Sequence, residues 1–146
     1  MFRHPKTLAK LSFLFCSLFL AGVLLLLFGI DSGVNRENLA LLRSYGWQVE
    51  EKPTEISHFT IPLAQNPVVE ALQAVTQKDG FDLSSHKGKH TTRYTYRVLN
   101  HADSKDGTVY LYVFVTKDGI IAAVLGSPSP DGFLLPVSDI SGQVQE

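Results

Sequence analysis

Cysteine, methionine and tryptophan each occur once in this chain. A single cysteine permits no internal disulfide, so the folded part must stand on its buried core alone. Catalytic signatures are also missing. There is no Gly-x-Ser-x-Gly elbow, no His-Glu-x-x-His and no glycine-rich phosphate loop. Internal repeats, low-complexity blocks and long runs of one charge are absent. The 13 Lys and Arg nearly balance 14 Asp and Glu, for a net charge of −1. There is only one long hydrophobic run.

That run is Leu11 to Ile30, LSFLFCSLFLAGVLLLLFGI. Twenty helical residues span roughly 30 Å, the thickness of a bilayer's hydrocarbon core. Its large apolar side chains each favour insertion by about 0.3–0.6 kcal/mol, which outweighs the cost of Ser12, Ser17, Gly22 and Gly29. A secretory leader has a shorter apolar region, about 7–15 residues, and a small-x-small exit. Here the exit is Phe28-Gly29-Ile30-Asp31-Ser32, so an uncleaved anchor is expected. Phe15 before Cys16 argues against lipid attachment at that thiol. Arg3, Lys6 and Lys10 precede the span with no acid among them, which keeps the N-terminus cytoplasmic. Those three leave ten basic residues against all fourteen acids from Asp31 onward, a net of −4. The expected organisation is a basic cytoplasmic tail over 1–10, a transmembrane helix over 11–30, a linker over 31–35, an extracytoplasmic domain over 36–134 and a disordered tail over 135–146. The acidic outer part and its address disfavour nucleic acid.

Within the domain, Asn35 or Ser32 caps a predicted helix from Arg36 to Tyr45, with Leu39 and Leu42 as its buried stripe and Gly46 as its stop. Trp47 to Val49 begins an extended segment, and Glu55 to Ile61 forms another. Asn66-Pro67 opens a second helix carrying Val68, Leu72 and Val75, closed by Gly80. His90 to Leu99 is rich in β-branched and aromatic residues. Alternation places Arg93, Thr95 and Arg97 on one face and Tyr94, Tyr96 and Val98 on the other. Thr108 to Thr116 is apolar on both faces, which predicts a central strand. Lys117-Asp118-Gly119 turns it into a partner over Ile120 to Leu125. The predicted fold class is α+β: one N-terminal transmembrane helix, then a small two-layer domain of about two helices on a mostly antiparallel sheet of three to five strands. The double-sided apolarity of the central strand requires either one helix on each face or a cover such as a homodimer partner.

Four blocks stand in a familiar order: Leu42-Arg43-Ser44-Tyr45-Gly46-Trp47-Gln48-Val49-Glu50, Gly80-Phe81-Asp82-Leu83-Ser84 with Lys87-Gly88-Lys89, Arg93-Tyr94-Thr95-Tyr96-Arg97-Val98-Leu99-Asn100, and Asp131-Gly132-Phe133. Together they resemble a bacterial family catalogued as domain of unknown function 4830, over about Asn38 to Phe133. The resemblance implies a membrane-anchored outer domain and no assigned activity. The family's last strand carries an Asp and a Cys before the final Asp-Gly-Phe. Here that stretch is Ala122-Ala123-Val124-Leu125-Gly126-Ser127, which removes any chemistry those side chains served.

Leu83 to Ala102 holds no acid but contains Lys87, Lys89, Arg93 and Arg97 with His86, His90 and His101. In an acidic domain this is a positive band suited to an anionic surface polymer, lipid headgroups or an acidic protein partner. The plainer alternative is an edge strand whose charges deter edge-to-edge pairing. His86 and His90 are four apart, but Gly88 between them and the lack of a nearby carboxylate or thiol argue against zinc. Asp103 to Gly107 has half the acids of a calcium loop and reads as a turn. Trp47 reads as packing on the end of the first helix. No cofactor, metal or catalytic residue is expected. The chain reads as a single-pass membrane protein with a non-enzymatic interaction or sensing module outside. Two alternatives stand beside it: a small enzyme or enzyme-regulating domain whose site is assembled from distant residues, and a structural subunit that dimerises through its sheet.

Overall fold

The computed structural model describes residues 32–106 and 108–145. The chain divides into two compact units, residues 1–36 and 37–146. The expected membrane segment, Leu11 to Ile30, lies outside the described residues. Among those described, no helix is long and apolar enough to cross a membrane. In the first unit, residues 32–36 are helical. This corrects the linker expected over 31–35: Ser32 to Asn35 contain no proline, so nothing there removes a helical amide donor.

The second unit begins with helix α1, residues 37–44, which buries Asn38, Leu39 and Leu42. Gly46 ends it with φ +82°, a conformation open to glycine without a Cβ clash. Five strands follow: β1 (Glu55–Thr60), β2 (His90–Arg97), β3 (Tyr110–Thr116), β4 (Gly119–Gly126) and β5 (Leu134–Pro136). They form one antiparallel sheet in the order β1-β2-β3-β4-β5. Helix α2 (Pro67–Thr76) lies between β1 and β2 in the chain. Asn66 caps it by accepting from the amides of Val68 and Val69. Its inward line is Val69, Leu72 and Val75. Val68, expected in that line, is 67% exposed. The cap sets the first turn's phase, and this phase sends Val69 inward instead.

Register decides which residues share a face. Arg93 pairs with Phe114, Thr95 with Tyr112 and Arg97 with Tyr110. Tyr94 pairs with Val113 and Tyr96 with Leu111, on the opposite face. Helix α2 packs with Phe114, Ala122 and Val124 on the arginine face. Helix α1 serves the tyrosine face, where the Asn38 amide donates to the Tyr96 hydroxyl at 3.1 Å. The expected two layers are therefore three, with one helix on each face. The apolarity of both faces of β3 is satisfied within one chain, and a dimer partner is not needed to explain it.

The C-terminal residues correct the expectation of a disordered tail over 135–146. Strand β5 pairs with Val124 to Gly126, and Val137 is fully buried. The Trp47 indole donates to the Val137 carbonyl at 2.8 Å. Farther on, the Val144 amide donates to the carbonyl of Asn100, and Gln143 bridges to His101. These hydrogen bonds come from residues distant in sequence, so the segment's own composition does not announce them.

Candidate functional site

Helix α2 has ten residues, a length of roughly 15 Å. It packs on Phe114, Ala122 and Val124 of its sheet face. Between the helix and the sheet lies a groove of about 710 Å³. Its floor is Tyr112, Phe114 and Val124, and the first turn of α2 forms one wall. Phe59 on β1 meets Phe114 edge to face with ring centroids 6.2 Å apart. Val68 and Leu134, both exposed, stand among the lining residues.

Two polar side chains enter this apolar surface from the sheet. Arg93 reaches it from β2, with its guanidinium carbon 5.6 Å from the centre of the Tyr112 ring. One terminal nitrogen of Arg93 binds the Glu55 carboxylate at 3.0 Å. Its Nε is buried and has no hydrogen-bond partner among the described residues. Burial pushes the Tyr112 hydroxyl above its ordinary value, against the pull of the Arg93 charge. The phenol is therefore protonated at neutral pH and available as a donor.

The four cations of the expected positive band are not gathered into one site. Lys87 lines a small cleft on another side of α2, with Glu70, Gln73 and Gln77. Lys89 pairs with Asp118 at 3.2 Å. Arg97 pairs with Glu50 at 2.6 Å and lines a different cleft, beside the loop after β2. Only Arg93 of the four lines the groove. The edge-strand alternative is corrected as well: β2 is paired on both sides, and the edges are β1 and β5. The acids that neutralise Lys89, Arg93 and Arg97 lie outside the acid-free segment, so its composition overstated the positive field.

The cleft beside Arg97, about 380 Å³, has polar walls that are already committed. Asn100 accepts from the Gln48 amide and donates to the Gly46 carbonyl. His101 Nδ1 accepts from the Asp103 amide. His101 also lies stacked near Trp47 and Phe133, at 6.2 and 5.5 Å between centroids. Trp47 is buried against the end of α1, where its amide donates to the Leu42 carbonyl. These residues hold the loops together. His90 stacks on His58 at 6.0 Å, and among the described residues no three His, Cys, Asp or Glu side chains gather into a metal-holding set. Asp82 and Asp139 have carboxyls held below their ordinary range, foremost by the hydroxyls of Ser84 and Ser141 in their own turns.

The groove was missed in the sequence because its members come from β1, α2, β2, β3, β4 and β5. One signal was present: Tyr110 and Tyr112, two apart on the strand expected to be central, share a face with the arginines. Comparison with family models, with curated proteins and with solved structures finds no match to this chain.

Proposed function

We propose that the domain is a non-enzymatic binding module that holds an apolar ligand in the groove between α2 and the sheet. The observation that carries this reading is the groove's composition: an aromatic and aliphatic surface with few polar groups, which is the usual make-up of a small-ligand site. Its volume lies within the range of about 300–1,000 Å³ typical of such sites. On this proposal Leu11 to Ile30 anchors the chain in a cell membrane and the domain faces outward, an address that the four blocks resembling domain of unknown function 4830 also suggest. The ligand is then a molecule of the cell surface or its surroundings.

The test uses the full chain in lipid nanodiscs and the neutral dye N-phenyl-1-naphthylamine, with empty discs subtracted. Ala71 lines the groove from the exposed side of α2. The A71W variant should fill the groove without touching the core. Saturable dye fluorescence in the parent chain that falls at least about tenfold in A71W, with an unchanged melting midpoint, supports the module. Equal dye uptake by both chains overturns it.

A further inference from the structure

We infer that the occupant of this groove is a single-chain amphiphile with a carboxylate head, held by Arg93 and the Tyr112 hydroxyl. The inference rests on the binding reading above and specifies its ligand. Charge complementarity carries it. Among the described residues, Arg93 is the one charged side chain lining the groove, and no carboxylate lines it. Glu70, in the first turn of α2, lines a different cleft, where its carboxylate accepts from Gln65 at 2.6 Å.

Arg93 also has donor capacity to spare. Its guanidinium has five N–H groups, and Glu55 engages one terminal nitrogen. The buried Nε has no partner among the described residues. The terminal N–H groups that Glu55 leaves over, on a cation beside an apolar groove, are satisfied best by an anionic oxygen. Tyr112, beside Arg93, supplies a second donor through its protonated phenol. Beyond these groups the lining is Phe59, Leu72, Phe114 and Val124, which suits an alkyl chain. Glu55 is the built-in competitor. It is a half-exposed partner, and pairs of that kind are screened by salt and contribute little.

The experiment compares three ten-carbon probes, decanoate, decanol and decylammonium, at pH 8. Each displaces the neutral dye from the full chain in nanodiscs, and the signal from A71W discs is subtracted. Decanoate should act at about fivefold lower concentration than decanol, and decylammonium should be weakest. R93Q should make decanoate and decanol equal. E55Q should widen the preference for decanoate. Melting midpoints of both variants confirm folding. If decanoate and decanol displace equally in the parent chain, the carboxylate inference falls while the groove stands. If no probe displaces dye beyond the A71W signal, the groove reading itself falls.

Discussion

At the scale of single residues, most of the distinctive side chains serve to lock loops. Trp47 is the clearest. Its ring is buried and its indole N–H reaches Val137, ninety positions later. Trp47→Phe keeps an aromatic body but leaves the Val137 carbonyl unmatched. A loss of about 1–3 kcal/mol is expected in urea unfolding, with little change in the groove. Gly132 is needed for space: a Cβ there would collide with the backbone carbonyl of Ser127. Gly132→Ala should therefore destabilise by about 1–3 kcal/mol, read in the same assay. This gives a structural reason for the Asp131-Gly132-Phe133 block, whose Phe133 ring stacks on His101.

The titrating groups set two pH limits of opposite sign. Asp82, depressed by Ser84, favours the folded state above its unfolded value, and that contribution is lost as pH falls through the folded value. The stability advantage of the parent over Asp82→Asn should shrink below about pH 4. Tyr112 is raised by burial, so its contribution is complete below the ordinary phenol value and is lost as pH rises through the folded one. Above about pH 10, Tyr112→Phe should lose less stability than the parent chain. Urea midpoints across pH for each pair of chains check both.

At the scale of elements, α2 controls the groove. Its start is legible in sequence, because Asn66 followed by Pro67 is a strong opening signal. Asn66→Ala removes the acceptor used by Val68 and Val69. The expected cost is about 1 kcal/mol in unfolding, together with weaker dye binding, because the first turn is a groove wall. The strands β1 to β4 were equally legible through alternation and the Lys117-Asp118 turn. Strand β5 was not. It has three residues, and Leu134-Leu135-Pro136 has no period long enough to read. Its formation depends on β4 offering an open edge at Val124 to Gly126.

At the scale of the whole molecule, the second unit closes on itself by long-range contacts. Its last residues bond to the segment around Trp47 and to Asn100. Removing residues 134–145 would strip β4 of one of its two partners and expose Trp47. Loss of cooperative unfolding is the expected outcome, measured by tryptophan emission in urea. The proposed address has its own test. A protease added to sealed cells should degrade the C-terminal domain and spare the basic tail over 1–10. Protection of the domain would place it on the other side.

The sequence by itself determined the order of elements from α1 to β4, the Asn66 cap of α2, the turn between β3 and β4, and the two faces of β2 and β3. These depend on local chemistry: side-chain period, proline and glycine placement, and capping groups. Only the tertiary structure decided that one helix lies on each face, that the C-terminal residues are part of the core, and that three of the four cations of the band are matched by acids. It also decided which arginine lines a groove. Each of these depends on which distant segments meet, and that is set by strand register and by where a short helix packs on the sheet.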